Sequence, residues 1–258
     1  RLAMPGSELE TRLGLRVLPE WMDVIDDPGA RDFQGRPLLG FYLVDLDGVR
    51  PSRLTVVEKG VLKALLTTRQ PVRGMDGPNG RARLPGPFGT KIPRISNLFV
   101  QAASTESEAS LKQRLIRLAQ QMGRNYAIVI RKMDFPSQGS MENLRQRAMQ
   151  AGRSGAGGRL ISAPVLAYRV FPDGREELVR GLRIRALGVR HFRDILAAGD
   201  RLRPFDYLDN GAALALEGAG NYVVGCSVIA PSLLFEELEL EPPSEDLLKP
   251  PVVPPPPL

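Results

Sequence analysis

The residues that could carry out chemistry in this sequence are few, and they do not form a complete site of a familiar kind. A zinc peptidase needs two histidines one helical turn apart with a glutamate between them, and the chain has a single histidine, His191. Its single cysteine, Cys226, lies in an apolar run typical of a buried strand, where a thiol is usually inert. We therefore predict no catalytic residue and no metal ligand in this chain.

Two acid pairs and one glycine-rich stretch are the remaining candidates for chemistry. Asp26 and Asp27 are adjacent in a predicted strand, so their side chains point to opposite faces. Asp45 and Asp47 border a turn, where aspartate commonly accepts hydrogen bonds from its own backbone. Residues 152–160 (GRSGAGGRL) lack the spacing of a phosphate-binding loop. We predict structural roles for the acids and a flexible connector for the glycines.

These residues are carried by a chain rich in short strands. Strand-like runs flank residues 59–60 and residues 172–174, a pattern that predicts two β-hairpins. Thr105 and Glu108 match a capping box, which predicts the start of a helix that ends at Gly123. The sequence therefore predicts an α+β fold, made predominantly of antiparallel β hairpins with a few interspersed helices.

Other elements are expected between these hairpins and the helix, from apolar runs and from clusters of glycine and proline. The expected elements are strands over 20–27, 40–45, 95–101 and 126–131, an irregular loop over 69–93, a short helix running into a loop over 137–158, a short helix over 191–198, and two closing strands around a turn at 230–232.

The length of 258 residues and the distribution of proline predict one domain with a tail. Residues 1–241 are predicted to form the domain. Residues 242–258 hold eight prolines, a composition that favours an extended chain over a helix. No apolar run approaches the roughly 20 residues that span a bilayer. With one cysteine and no disulfide framework, a cytoplasmic setting without a membrane partner is expected.

The charge distribution suggests a second kind of partner. The formal net charge is +6, but residues 236–258 contain six acids and one base. The rest of the chain holds 34 bases and 23 acids, a net charge of +11. Such a body could attract nucleic acid, but no aromatic-rich RNA-binding stretch accompanies the arginines. We rank nucleic-acid binding last among the functions considered.

Seven short motifs follow one another in a distinctive order. They are VIDDP (24–28), LG (39–40) with VDLDGV (44–49), VVEKGVLK (56–63), NGRAR (79–83), ISN (95–97), VRG (179–181) and APSLL (230–234). Their order and spacing resemble the C-terminal domain of the TldD/PmbA family over nearly all of residues 6–240. That family includes metallopeptidases and their non-catalytic partners, historically called modulators of DNA gyrase.

The resemblance also implies where the metal of the family lies. Its catalytic members hold zinc through an HExxxH helix upstream of the VDD segment and a cysteine in a glycine-rich stretch near the C-terminus. This chain begins after the expected place of that helix, and its glycine-rich residues 210–220 contain no cysteine. Cys226 falls several residues too late. We therefore expect no cofactor in this chain, with zinc a candidate for the full-length parent or a partner.

The resemblance implies a domain that helps build a homo- or heterodimer with a TldD/PmbA-like subunit around a peptide channel. We expect a non-catalytic or metal-deficient subunit; one alternative is the scaffold half of an active zinc metallopeptidase whose HExxxH helix lies upstream, and another is a nucleic-acid-binding module. The channel candidates are Asn79, Gly80, Arg81 and Arg83 in the NGRAR loop; solvated arginines on a mobile loop are the alternative.

Overall fold

The computed structural model describes residues 9–72, 74–86, 89–134, 162–185, 187–210 and 223–242. Strands dominate these ranges, in agreement with the α+β prediction. The strands are β1 (Met22–Asp26), β2 (Asp32–Phe33), β3 (Arg36–Pro37), β4 (Leu54–Glu58), β5 (Val61–Leu62), β6 (Ala82–Pro85), β7 (Lys91–Pro93), β8 (Asn97–Ala102), β9 (Ala127–Met133), β10 (Pro164–Val170), β11 (Glu176–Val179), β12 (Arg183–Ile184), β13 (Ile195–Asn210), β14 (Val223–Phe235) and β15 (Leu240–Glu241).

A six-stranded sheet in the order β13-β14-β8-β1-β4-β5 forms the centre of the described chain. A second sheet has the order β11-β10-β9, and the pairs β12-β15, β2-β3 and β6-β7 stand apart. The two hairpins predicted around residues 59–60 and 172–174 are confirmed as β4-β5 and β10-β11. The pairings are antiparallel except that of β14 with β8, which is parallel over Ser227–Ile229.

The hydrophobic core lies where β1, β4 and β5 meet the beginning of β13. Strand β1 is buried at four of its five positions, because β4 and β8 flank it and side chains pack on both faces. The buried members of this cluster are Val17, Leu18, Met22, Val24, Val57, Leu62, Val189 and Ile195.

The longest helix differs from its prediction at the start. Helix α1 spans Glu108–Gln121, and its N-cap is Ser107, whose hydroxyl accepts a hydrogen bond from the amide of Ser110. The predicted N-cap at Thr105 is therefore wrong by two residues. The end is confirmed, because Gly123 adopts a φ of 69° just beyond the helix. No helix in the described part of the chain is long and apolar enough to cross a membrane.

The closing strands also differ from their prediction. Instead of two strands around a turn at 230–232, β14 continues through Pro231 to Phe235. Proline cannot donate to a sheet ladder, but the pairing with β8 ends at Ile229, so one side of β14 is already open at Pro231. The predicted helix over 191–198 is shorter: α2 spans Val189–Arg193, and β13 begins two residues later.

Two further predictions on the first half of the chain are wrong. Residues 40–45 form no strand, because the amide of Gly40 donates to the side chain of Asn97 and the amide of Asp45 donates to Val49 four residues away, so no backbone ladder forms. The supposedly irregular loop over 69–93 contains the β6-β7 hairpin. The prediction over 137–158 and the tail beyond Pro242 lie outside the described residues. The division into a domain and a tail stays a prediction.

The turn between β4 and β5 allows a test of close backbone packing. Gly60 and Gly48 have almost the same φ, 75° and 74°. A methyl group on Gly60 would lie 2.3 Å from the carbonyl oxygen of Leu18, whereas a methyl group on Gly48 would have no described heavy atom of another segment within 4 Å. We expect Gly48→Ala to lower the free energy of unfolding by about 1–2 kcal/mol, the cost of left-handed backbone. Gly60→Ala should cost about 1–3 kcal/mol more. Equal losses in chemical denaturation would contradict the packing.

Candidate functional site

A fully buried ion pair joins the VIDDP and NGRAR motifs of this chain. The side chains of Arg81 and Asp26 are both 0% exposed, and Arg81 Nε donates to Asp26 Oδ2 over 2.9 Å. A buried charge is tolerated only when its hydrogen-bonding groups are satisfied. This pair therefore requires a dense set of polar partners around it.

Backbone carbonyls complete the surroundings of the Arg81 guanidinium. Nη2 donates to the carbonyl oxygens of Asp26 at 3.0 Å and Ser52 at 2.6 Å. Nη1 donates to the carbonyl oxygen of Asn79. The second carboxylate oxygen of Asp26 accepts from the amide of Ser96 at 2.7 Å. The Arg81 side chain thus connects the NGRAR loop to β1 and to the segment before β4. Its partner Asp26 also connects β1 to Ser96, the residue before β8.

A second buried acid, Asp45, organises the turn that precedes β4. Its Oδ1 accepts from the amides of Asp47 at 2.9 Å and Val49 at 2.8 Å. Its Oδ2 accepts from the amide of Ala82 at 3.0 Å, one residue beyond Arg81. The structural role predicted for Asp45 is confirmed, because both of its carboxylate oxygens accept hydrogen bonds from backbone amides.

Asn97 anchors the stretch in which the predicted strand is missing. Its Oδ1 accepts from the amide of Gly40 at 2.9 Å, and its Nδ2 donates to the carbonyl oxygen of Ala30 at 2.8 Å. A methyl group on Gly40 would lie 2.3 Å from the backbone of Ser96. Only glycine allows the backbone at position 40 to approach Ser96 so closely. The LG motif and the ISN motif are therefore in direct contact.

The NGRAR loop is itself held by a reciprocal pair of side chains. Asn79 Oδ1 accepts from the amide of Thr67 at 2.8 Å, and the Thr67 hydroxyl accepts from the amide of Asn79 at 3.0 Å. Asn79 Nδ2 donates to the carbonyl oxygen of Leu65 at 2.7 Å. The carbonyl oxygen of Gly80 accepts from the hydroxyl of Tyr42 at 2.7 Å. The loop is therefore rigid at this point, although its composition suggested mobility.

Arg83 connects this frame to the end of the six-stranded sheet. Its guanidinium lies 4.6 Å from the ring centroid of Tyr42, donates to the carbonyl oxygen of Ile95 at 2.5 Å, and approaches the sulfur of Cys226 at 3.7 Å. Cys226 on β14 is paired with Tyr207 on β13. Arg83 therefore lies against the sheet next to its outer strand.

Burial determines the protonation of the groups around Arg83. It raises the pKa of the Cys226 thiol to about 11, although the charge of Arg83 opposes the shift. Burial likewise raises the pKa of Tyr42 to about 12 and raises that of Tyr207. At neutral pH the thiol is protonated, and a thiol rather than a thiolate is a poor nucleophile and a poor metal ligand. The inert cysteine expected from the sequence agrees with this environment.

Four residues of the NGRAR motif were predicted to line a peptide channel, and the structure brings them together. Arg81 and Gly80 are buried, whereas Asn79 and Arg83 are half-buried. For Arg81 and Arg83, solvated side chains on a mobile loop are excluded, because both guanidinium groups donate to fixed backbone carbonyls. A contact with peptide stays a prediction. The sequence offered no signal for Thr67 or Tyr207 as members of the site.

The donors in the described part of the chain do not fit a zinc ion. Across the described ranges, no group of three or more histidine, cysteine, aspartate or glutamate side chains is placed to hold a metal. Cys226 is buried with a raised pKa, and the Nδ1 atom of His191 accepts from the amide of Gly188 at 3.1 Å. Asp26 and Asp45, the buried acids, are satisfied by arginine and by backbone amides. No catalytic step through zinc is therefore derived from these residues.

Comparison with known proteins places these motifs in a family. Residues 2–135 match the family model described as the PmbA/TldA metallopeptidase C-terminal domain. A metalloprotease of Archaeoglobus fulgidus is 36% identical over 92 residues, which are 36% of this chain and 20% of that protein. A metalloprotease of Methanocaldococcus jannaschii is 32% identical over 107 residues, 41% of this chain and 22% of that protein. The matched stretch thus spans about a fifth of these relatives.

Solved structures show the same fold over a longer stretch. A protein described as a modulator of a DNA gyrase from Thermotoga maritima matches 92% of this chain and 43% of its own, with a TM-score of 0.55 and 19% identity. TldE from Thermococcus kodakarensis matches 91% of this chain and 42% of its own, with a TM-score of 0.54 and 11% identity. At these identities the likeness concerns the fold.

The buried ion pair generates a stability test. Arg81→Met leaves the carboxylate of Asp26 buried without its cation, and breaking such a pair costs about 3–5 kcal/mol of unfolding free energy. As a control, Arg175→Met removes an exposed arginine that is also ion-paired, and it should cost no more than about 1 kcal/mol. Denaturant titrations of both variants check the prediction. A loss for Arg81→Met as small as that of the control would contradict the role of the pair.

Proposed function

The chain belongs to the PmbA/TldD metallopeptidase family, and we propose that it is a non-catalytic or metal-deficient subunit that helps form a peptide-processing dimer. The observation that carries this proposal is that the motifs shared with the family form hydrogen bonds with one another. In the VIDDP, VDLDGV, NGRAR and ISN segments, the side chains of Asp26, Asp45 and Arg81 and the backbone amides of Ser96 and Ala82 form hydrogen bonds with one another. They build a frame in which both buried acids and Arg81 are bound by other protein groups.

A rigid frame of this kind suits a scaffold that presents a sheet edge. At one end of the six-stranded sheet, β5 is covered by residues 14–16, which exchange backbone hydrogen bonds with Leu62. At the other end, β13 is the outer strand among the described residues, and Glu106 pairs with it near Gly199. We place an extended peptide along β13 at Asp200–Arg203, where main-chain hydrogen bonds would give affinity with little sequence preference.

Two features support this location for the peptide. A cavity of about 400 Å³ lies beside the start of the segment, lined by residues that include Asp200, Leu202 and Pro231. The channel candidate Arg83 lies next to Cys226 on β14, and Cys226 is the residue that pairs with Tyr207 on β13. In this proposal Asn79, Gly80 and Arg81 do not touch the peptide but hold Arg83 in place.

The partner in this proposal is a second TldD/PmbA-like subunit, in a homo- or heterodimer in the cytoplasm. The relatives named as metalloproteases are several times longer than the stretch that matches this chain. The alternative is therefore an active parent whose zinc helix lies upstream, with this domain as its scaffold half. The two alternatives differ in which polypeptide carries the metal.

Metal analysis of the full-length parent, co-purified with its partner and then separated from it, distinguishes the alternatives. We expect zinc in stoichiometric amount in the partner and none in the parent, because the donors described here do not fit the ion. Stoichiometric zinc in the parent, lost on substitution of an upstream histidine, would make the parent a peptidase. Absence of both assembly and peptide binding would overturn the proposal altogether.

Peptide binding along an edge strand has a distinctive signature. Alternate residues of the peptide direct their N–H groups towards β13, so N-methylation at those positions should weaken binding at least about tenfold, the effect of roughly 1.4 kcal/mol in lost hydrogen bonding. N-methylation at the intervening positions is the matched control and should change Kd little. Fluorescence anisotropy with the assembled dimer measures both series. Equal effects of the two series would argue against strand addition.

A further inference from the structure

The cavity beside β13 lies where the six-stranded sheet divides. The parallel ladder between β14 and β8 ends at the pair of Ile229 with Phe99. Further along β14, Pro231 has no N–H group to extend that ladder. On the other side of β14, residues 199–201 of β13 lie opposite Ser232 alone, which makes a bulge in β13. Residues of both irregular regions line the cavity of about 400 Å³, so the space results from the way the strands pair.

Two carboxylates line this cavity from different strands. Asp23 lies on β1, and its Oδ1 accepts a hydrogen bond from the amide of Lys59 at 2.6 Å. Asp200 lies in the bulge of β13, where its amide donates to the carbonyl oxygen of Glu106 at 2.9 Å. In the described part of the chain, no hydrogen bond or ion pair involves the carboxylate of Asp200 or the Oδ2 atom of Asp23. Both acids therefore have a fixed backbone and acceptor sites that a ligand can use.

The other lining residues favour a cation with an aliphatic stem. Asp23 is paired with Gln101 and Leu202 with Pro231, and the side chains of each pair lie on one face of the sheet. Leu202 and Pro231 supply apolar surface, and none of the described residues that line the cavity is basic. Arg203 follows Leu202 in β13, so it points to the opposite face. Lysine and arginine combine an apolar stem with a charged end, which matches such a lining.

An ammonium or guanidinium group fits this cavity better than a bare metal ion. Calcium and magnesium take about six or more oxygen ligands. The lining provides two carboxylates, and nowhere in the described ranges do three or more histidine, cysteine, aspartate or glutamate side chains come together to hold a metal. An ammonium or guanidinium group needs only one or two carboxylates for a charge-assisted hydrogen bond. The chemistry of the lining therefore indicates a basic side chain.

We propose that this cavity binds a lysine or arginine side chain of the peptide, beside the carboxylates of Asp23 and Asp200. The inference rests on the proposed function, because it extends the placement of the peptide along β13 at Asp200–Arg203. Main-chain hydrogen bonds to β13 hold a peptide of any sequence. The cavity adds a preference for a basic residue at one position, because electrostatic complementarity contributes selectivity more than affinity.

A set of peptides with one variable position tests this preference. Each peptide is a short, neutral alanine, serine and threonine sequence with one lysine, and its control carries norleucine in place of lysine. With the assembled dimer, fluorescence anisotropy should give a Kd about threefold to fivefold lower for lysine than for norleucine at one position, the range for a partly exposed ion pair. Asp200→Asn and Asp23→Asn should each reduce this difference to no more than about twofold.

The variants are chosen to keep the fold. Asparagine at position 23 retains an oxygen that can accept from the amide of Lys59. Asp200 uses only its backbone in the described contacts of the bulge. The matched control is Asp173→Asn, which removes an exposed acid that does not line the cavity and should leave the preference for lysine unchanged. Circular dichroism checks all three variants.

The norleucine peptides separate this inference from the proposed function. Binding of norleucine and lysine peptides with equal Kd at every position would overturn the preference and leave the proposed function standing. A preference for lysine that persists unchanged in both Asp200→Asn and Asp23→Asn would also overturn the inference, because the attraction would then come from other acids. If no peptide of either set binds, the proposed function fails and the inference fails with it.

Discussion

The buried ion pair between Arg81 and Asp26 is the constraint on which the rest of the site depends. Two charges without solvent exposure are costly unless every donor and acceptor is satisfied. The surrounding chain provides most of these partners, among them the carbonyl oxygens of Asn79 and Ser52 and the amide of Ser96. Each of these groups belongs to a different segment, so the pair sets the relative positions of four segments at once. The β6-β7 hairpin starts immediately after it.

This arrangement explains why motifs with residue types typical of catalytic sites have a structural role here. Paired acids and an arginine-rich loop are typical of active sites, but here Asp45 accepts from three backbone amides and Arg81 donates to backbone carbonyls. A group that is fully hydrogen-bonded inside the protein has little capacity left for substrate. Membership of the PmbA/TldD family is consistent with such a domain, since the proposed scaffold role requires rigidity and a presented edge more than a reactive group.

Local patterns predicted the elements whose residues interact with near neighbours in the chain. The hairpins around 59–60 and 172–174 and the end of α1 at Gly123 are correct, because turn and cap geometry depends on a few adjacent residues. The strand predicted over 40–45 is wrong, because Gly40 is bound by Asn97, more than fifty residues away. The turn predicted at Pro231 is wrong for a similar reason: the pairing partner of β14, not proline, determines where the strand ends.

The sequence alone determined the family, the α+β class, and the chemistry that a single histidine and a single cysteine cannot perform. It also contained the signal for a buried Cys226, because burial follows from an apolar run. Only the tertiary structure decided that Arg81 is buried while Arg83 lies against the sheet. They are two residues apart and have the same side chain, and their difference comes from Asp26 on β1 and from Ile95 in the segment between β7 and β8. Contacts between remote segments leave no periodic trace in a sequence.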